Sequence, residues 1–595
     1  MMKLTGGQII GAAMKNYGIK YVAGIPGHGC WSMVDAFLEP GSEIDVVQVF
    51  HEQSAVHVAD GYYRASGKPM AAFTSIGPGA ANTVIGLATA YADSVPLLLL
   101  TGGPAIHMRG HGTMQEIDRV NFNAFPKVTE PVTKKQFVVN SVQELPFVMH
   151  RAFSAMLTGR PGPVHIEIPM DIQAAAAEVS LHDLEARVPT GVAYPDPLAI
   201  ERSVAALRLS RRPVIVVGGG AITAGAFDDV VRLAEALGAA VVTTWNGKGA
   251  FPEDHRLFAG SVGQTGTTHG NYLASNADVL VSIGCKFTDW SASSYRKGVT
   301  FSIPPTKLIQ IDVDPQEIGK NYPVEVGIVA DARIATAQLA EALSGNSVDR
   351  TEYHGDVKRV QEEWESMLAA RRDSQETPMT SQRPLRDLRS VLPRDGIIVV
   401  GSGNTQGAVK QTFPVFGPRT HLTSGTYSSM GWAVPAAIGA KLGRPDRKVV
   451  CVLGDGDFLQ TLQEIGIAVM YQIPVLFVVQ NNSGYMSIRG GQRKQHDRHV
   501  ASEFATRDGL PYSPDFEGIA RNFGLRSWKV SDPALLESTF AEALALDTPS
   551  LVEVITARDA AGPFVPGWWD FPIPEYINDE RQSEYASARA EEQHQ

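Results

Sequence analysis

KVVCVLGDG at residues 448–456 and PVLFVVQNN at 474–482 decide the fold. Each is a short run of β-branched and apolar residues closed by glycine or asparagine, and runs buried on both faces belong to a parallel sheet. In such a sheet Gly454-Asp455-Gly456 and Asn481-Asn482 both fall at the carboxyl edge, where open α/β folds bind ligands. A carboxylate and a carboxamide oxygen there suit a hard divalent cation, and Mg2+ prefers few protein ligands supplemented by phosphate oxygens. Either motif alone reads equally well as a turn; the pair predicts Mg2+ and a diphosphate.

The same pattern spreads outward along the chain. One group of runs comprises YVAGIPG (21–27), IDVVQVF (44–50), MAAFTSIGPG (70–79), PLLLLTGG (96–103) and VHIEIP (164–169). A second comprises PVIVVGGG (213–220), AAVVTT (239–244), ADVLVSIG (277–284) and KLIQIDVD (307–314), and a third adds GIIVVGSG (396–403) and SLVEVIT (550–556) to the opening pair. Amphipathic segments separate them, which predicts an α/β protein with three doubly wound parallel-sheet domains. RVPTGVAYPDP near 187–197 reads as a linker, and VKRVQEEWESMLAARRDSQE as one exposed helix with a connector. The expected domains are 1–187, 195–345 and 380–560, followed by a tail over 561–595 that packs on the rest.

With 44% apolar and 19% charged residues in 595, the chain has material for several cores. Its 52 basic against 63 acidic side chains leave a formal charge of -11, the wrong sign for coating nucleic acid. Cys30, Cys285 and Cys451 are too scattered for a disulfide framework or a zinc cluster. No apolar leader or membrane-length run is visible, so a cytoplasmic protein bound to neither nucleic acid nor membrane is expected.

In FHEQSAVHVADGYYRASGKP (50–69) Glu52 stands at the end of a strand, and Ala55, Ala59 and Gly61 form a small-residue helix face. A glutamate against an apolar helix start is costly to ionise without a partner, which suggests proton handling; a helix-capping role is the plainer alternative. His51 and His57 read as structural.

Together HEQSAVHVADGYYRASGKP (51–69), SIGPGAANTVIGLATAYADSVPLLLLTGG (75–103), RPGPVHIEIPMD (160–171), SSMGWAVPAAIGAKLG (428–443) and the GDG and NN motifs resemble the thiamine-diphosphate (ThDP) family of acetolactate synthases and related decarboxylases, lyases and cyclic-diketone hydrolases. The resemblance extends from about Thr5 to Thr556. It implies a pyrimidine-binding first domain, a central nucleotide- or FAD-type domain, and a diphosphate- and Mg2+-binding third domain. It implies active sites between subunits of a homodimer or homotetramer, and keto acid, aldehyde or diketone substrates. Glu52 falls on the glutamate that protonates the aminopyrimidine ring, Met430 on the apolar residue that bends the cofactor, and Asp455, Asn482 and the Gly484 carbonyl on the metal ligands. Asn82, Asn404, Thr405, Gln406, Ser429, Gly454, Gly456, Asp457, Tyr485 and Met486 fall on cofactor-contacting positions. Gln115, paired with Glu116, falls where a glutamine faces the cofactor, and His28 falls where related lyases carry Asp, Ser or His for acid–base work.

Gly218-Gly219-Gly220 after PVIVV, with Asp312 and with Lys286 in place of the usual arginine, resembles the flavin-binding form of the central domain; ADP or no ligand are the alternatives. Two positions depart from acetolactate synthases: Trp290 replaces an arginine at the site entrance and Gly491 a tryptophan that selects the second keto acid. These changes predict a rebuilt acceptor pocket favouring a larger, neutral acceptor, unless Arg489, Arg493 or Lys494 replaces the missing arginine. His28 and Trp568-Trp569-Asp570-Phe571-Pro572 also resemble the cyclic 1,2-diketone hydrolases. A non-catalytic flavin- or nucleotide-binding paralogue and a nicotinamide oxidoreductase are further alternatives, and the latter lacks the full dinucleotide fingerprint.

Overall fold

A computed structural model of the chain describes residues 1–117, 125–189, 191–345, 348–559 and 562–593. Three six-stranded sheets organise it, and every ladder within them is parallel. The first sheet runs Asp45–Gln48, Tyr21–Gly24, Ala71–Thr74, Leu98–Gly103, Val164–Pro169, Lys135–Val138 in spatial order. The third runs His421–Thr423, Ile397–Val400, Val449–Gly454, Val475–Asn481, Ser550–Ile555, Arg526–Val530, which is the same topology. The middle sheet runs Phe258–Ser261, Ala240–Thr243, Pro213–Val217, Val279–Ile283, Lys307–Asp312, Val326–Val329, the dinucleotide-binding order 3-2-1-4-5-6.

These orders fix where ligands can sit. Chain direction across each sheet reverses between its first strand and the strand beside it, opening a crevice at the carboxyl edge. The crevices lie between Gly24 and Thr74, between Val217 and Ile283, and between Val400 and Gly454.

The first and third sheets share one hydrophobic core. At its centre helix Glu52–Ser66 packs on helix Ala433–Gly443 at backbone distance. A Cβ on Gly61 would stand 2.1 Å from the Ala436 carbonyl oxygen, and one on Gly439 would stand 1.9 Å from that of Val58. Helix Glu52–Ser66 is therefore fixed relative to both sheets.

Helix Thr351–Arg372 corrects the expectation of an exposed helix. Tyr353, Val357, Val360, Trp364 and Leu368 are buried, at a spacing of three to four residues, so one stripe seals the middle domain beneath a charged outer face. The tail contacts both the middle domain, where Trp569 Nε1 donates to Asp289 Oδ2 at 3.0 Å, and the third, where the Phe564 amide donates to Gln411 Oε1 at 2.9 Å, and it ends in helix Glu580–Gln593. Among the described residues no helix is long and apolar enough to cross a membrane.

Candidate active site

Asp455 opens the helix that follows strand Val449–Gly454 and is almost fully buried. Its Oδ1 accepts from the Gly456 amide at 2.9 Å and its Oδ2 from the Gly484 amide at 3.1 Å. Burial pushes its carboxyl up to about 6, against the lowering effect of the surrounding amides. A divalent cation would relieve that burden. Of the two asparagines, Asn481 is occupied: its Nδ2 donates to Ser513 Oγ at 2.7 Å and to Glu553 Oε1 at 2.8 Å. No side-chain hydrogen bond holds Asn482 among the described residues. One carboxylate, one carboxamide and the peptide at Gly484 form a donor set that suits Mg2+ shared with phosphate oxygens. Among the described residues no cluster of three or more His, Cys, Asp or Glu offers another metal site.

Helix Asn404–Thr412 starts across the same crevice, after Gly403 at φ 90°. Its first-turn amides suit a diphosphate. Thr405 Oγ1 lies 3.8 Å from where a Cβ on Gly454 would stand, so the two edges nearly touch. Tyr485 closes the far side: its ring would meet a Cβ on Gly456 at 2.5 Å and packs edge-on against Phe504. Met486 is buried, with its Cε 2.5 Å from a Cβ built on Gly484.

Three residues expected to touch cofactor do other work with their side chains. Asp457 Oδ2 accepts from the Ser402 amide at 2.6 Å and its Oδ1 from the Gly431 amide, so its buried carboxylate, pushed up to about 6, ties two crevice loops together. Gln406 is buried and holds Thr423 Oγ1 and, at 3.1 Å, Ser428 Oγ. Ser429 Oγ pairs with Thr89 Oγ1 of the first domain at 2.9 Å. All three shape the turn that carries Met430, which is 44% exposed.

In the first domain Glu52 is half-buried at the start of its helix. Its carboxylate has a partner, because Asn82 Nδ2 donates to Glu52 Oε2 at 2.8 Å. His51 caps the helix by accepting from the Gln53 amide at 3.2 Å, and His57 is fully buried beside Gln53. Glu464 of the third domain accepts from the Phe50 amide at 3.2 Å, a tether the sequence did not reveal.

His28 lies half-buried in the loop after Tyr21–Gly24; Gly29 in that loop is held by Ser75 Oγ at 3.2 Å and by Gln173 Nε2 at 2.8 Å. Gln115 is exposed at φ 68°. A Cβ on Gly77 would stand 1.8 Å from the Gln115 carbonyl oxygen, so the Gln115 loop rests on the segment leading to Asn82. The Glu52, His28, Asn82 and Gln115 segments thus follow four successive strands of one edge.

The middle-domain crevice opens into a cavity of roughly 410 Å3 at the junction of all three domains. Gly218, Lys286 and Asp312 line it, with Arg64 and Asp93 from the first domain and His421 from the third. A Cβ on Gly218 would stand 2.1 Å from the Gly284 carbonyl oxygen, so only glycine admits this approach. Trp245 Nε1, Asn246 Oδ1 and His421 Nε2 are buried atoms without hydrogen-bond partners on its wall. Three orphan polar atoms suit a flat heterocycle bearing both donors and acceptors. Lys286 is committed elsewhere, with its Nζ on the Ala92 carbonyl and 3.9 Å from Asp93.

Trp290 turns its Nε1 to Thr265 Oγ1 at 3.2 Å and packs against Trp245 and, at 4.9 Å between ring centroids, Trp569 of the tail. Gly491 sits on exposed helix Met486–His496, and a Cβ there would meet nothing within 4 Å.

Comparison with known proteins agrees with this geometry. The thiamine pyrophosphate enzyme models match as N-terminal TPP binding domain over residues 4–122, central domain over 200–339 and C-terminal TPP binding domain over 401–554. A probable acetolactate synthase large subunit of Methanocaldococcus jannaschii is 34% identical over 581 residues, covering 95% of this chain and 94% of the relative. The acetolactate synthase isozyme 3 large subunit of Escherichia coli is 34% identical over 550 residues, covering 91% and 93%. The acetolactate synthase large subunit of Corynebacterium glutamicum is 33% identical over 570 residues, covering 94% and 88%. The chain belongs to the thiamine pyrophosphate enzymes of the acetolactate synthase type.

Proposed function

We propose that this protein is a ThDP- and Mg2+-dependent enzyme that decarboxylates a 2-keto acid and joins the remaining acyl unit to a second carbonyl compound. The observation that carries the reading is the pairing of two crevices of identical topology, one presenting Asp455, Asn482 and Gly484, the other Glu52 backed by Asn82. ThDP, when bound, supplies the carbon nucleophile and the electron sink for 2-keto acid chemistry.

The chain's residues divide the remaining work. Asp455, Asn482 and the Gly484 carbonyl would hold Mg2+, and the first turn of helix Asn404–Thr412 would receive the diphosphate. Asp457, by clamping Ser402 and Gly431, sets the loop from which Met430 would offer the cofactor an apolar contact. Glu52 carries a proton on Oε1 or Oε2 toward the pyrimidine ring, and Asn82 fixes its rotamer. His28 is placed for proton transfer at a substrate oxygen, and Gln115 for orienting the carbonyl. Glu52, Gln115 and Met430 all retain solvent access in the single chain, which supports completion of the site by a second copy.

Trp290, packed on Trp569, gives the acceptor side an apolar wall, and the open space at Gly491 favours an acceptor bulkier than pyruvate. The orphan polar atoms around the middle cavity support FAD there as a bound, structural ligand. The test is to load the protein with ThDP and Mg2+, offer a panel of 2-keto acids with carbonyl acceptors, and follow CO2 and the ligated product. The expected result is release that requires both cofactors; no release from any member would refute the reading.

A further inference from the structure

The loop that follows strand Leu98–Gly103 carries an arginine that the reading above leaves unused. Arg109 sits six residues before Gln115, on the same folded-back segment, where the His111 amide and Thr113 Oγ1 both bond the Met108 carbonyl, at 3.1 and 3.0 Å. Its side chain is only 18% exposed. Nη1 reaches Asn140 Oδ1 at 3.5 Å, the outer limit of a hydrogen bond, and Nη2 lies 3.6 Å from Glu167 Oε1. Nε and Nη2 are buried with no hydrogen-bond acceptor. Glu167 stands there because position 103 is glycine: a Cβ would come within 2.9 Å of its Oε1.

A guanidinium withdrawn from water and left with unmet donors is poorly placed for stability alone. Its planar fork matches one ligand class above others, a carboxylate taken bidentately. The basic residues considered as substitutes for the arginine missing at Trp290 are either already paired or exposed to water. Arg489 is held by Glu503 and, at 2.8 Å, by Asp559, while Arg493 and Lys494 are exposed on the surface of their helix.

We propose that Arg109 is the carboxylate anchor of this site and that the molecule it holds is a 2-keto acid acceptor. This rests on the keto acid reading above. Which carboxylate it takes follows from charge. A carboxylate leaving as CO2 loses its negative charge toward the transition state, so a cation upon it would stabilise the ground state more and slow the reaction. A carboxylate that persists through the reaction gains from the pairing at every stage. The expectation of a larger, neutral acceptor, drawn from Trp290 and Gly491, is thereby revised in its charge: the wall is apolar and the anchor comes from the first domain.

The test uses oxamate, an unreactive mimic of a short 2-keto carboxylate, titrated calorimetrically into the ThDP- and Mg2+-loaded protein and its Arg109→Gln and Arg109→Lys variants. The Gln variant should bind oxamate about ten- to hundredfold more weakly and raise the KM of a 2-keto acid acceptor to match, the range of a lost charged hydrogen bond. CO2 release from the donor should stay within about twofold, and Lys, which keeps the charge without the fork, should restore only part of the loss. Unchanged oxamate binding in Arg109→Gln, or in Arg109→Lys should the Gln variant not fold, would overturn the proposal, as would equal losses in donor decarboxylation and acceptor use. Failure of the wild type to release CO2 from any 2-keto acid would instead refute the proposed function, while the oxamate comparison would still decide the role of Arg109.

Discussion

Asn82 Nδ2 donates to Glu52 Oε2 across 2.8 Å, joining the helix after strand Asp45–Gln48 to the turn after strand Ala71–Thr74. Tyr21–Gly24 lies between those strands, so the bond bridges the crevice of the first sheet. It holds the carboxylate in one rotamer without neutralising it, which is what a group that must share its proton needs. Replacing Asn82 by Ala should slow exchange of the cofactor C2 proton by about tenfold, the worth of one charged hydrogen bond at the lower end, and leave ThDP affinity nearly unchanged. NMR exchange and calorimetry on one sample separate the two effects.

Asp455 and Asp457 are two residues apart and should fail differently. Asp455→Ala removes the one carboxylate of the proposed metal set and should abolish Mg2+-dependent ThDP retention. Asp457→Ala leaves the half-buried Ser402 amide and the buried Gly431 amide unmet and should lower stability by about 2–3 kcal/mol, read in a urea melt, while cofactor binding remains Mg2+-dependent.

The raised carboxyl of Asp455 also sets a pH dependence. Above about 6 it is ionised and available to Mg2+. Below that value protons compete with the cation, so the apparent Mg2+ affinity should fall up to about tenfold per pH unit toward pH 5. Titrations at pH 7.5 and 5 check the sign; tighter binding at the lower pH would contradict the ligand assignment.

Gly491→Trp should fold, because a Cβ there meets nothing within 4 Å and glycine inside a helix costs about 1 kcal/mol against other residues. By filling the open space it should move acceptor preference toward pyruvate by about tenfold over bulkier keto acids, the scale on which one or two methylenes are discriminated. Competition between paired acceptors gives this ratio directly.

Trp245→Phe should weaken FAD binding about fivefold, one neutral hydrogen bond, if the Nε1 orphaned on the cavity wall meets the flavin. Quenching of flavin fluorescence on titration is the readout.

The central strands of all three sheets were legible as continuous apolar runs because both their faces are covered. Within the three six-stranded sheets the strands missed are Lys135–Val138, Phe258–Ser261, Val326–Val329, His421–Thr423 and Arg526–Val530, and every one is an edge strand. Lys135–Val138 and Arg526–Val530 are half exposed and carry charge, Val326–Val329 alternates in burial, His421–Thr423 has only three residues, and Phe258–Ser261 is buried but reads Phe-Ala-Gly-Ser, so none stands out in the sequence as a continuous run of large apolar residues. The crevice of the third sheet was legible as an edge feature because glycine and asparagine close strands there. What the sequence could not separate was a side chain facing the crevice from one facing the loops behind it: Asp455 and Asp457 look alike in Gly-Asp-Gly-Asp, and only the amides of Ser402 and Gly431 tell them apart. Arg109 was illegible for a related reason, since its significance lies in donors left unmet by residues distant in sequence.

The central claim, that Glu52 manages a proton for a bound thiamine cofactor, is tested most directly by the rate of C2 hydrogen–deuterium exchange in ThDP on the Mg2+-loaded protein. The account predicts fast exchange in the wild type and a loss of about 10²- to 10⁴-fold in Glu52→Gln with ThDP still bound. Exchange at the wild-type rate in that variant would contradict it.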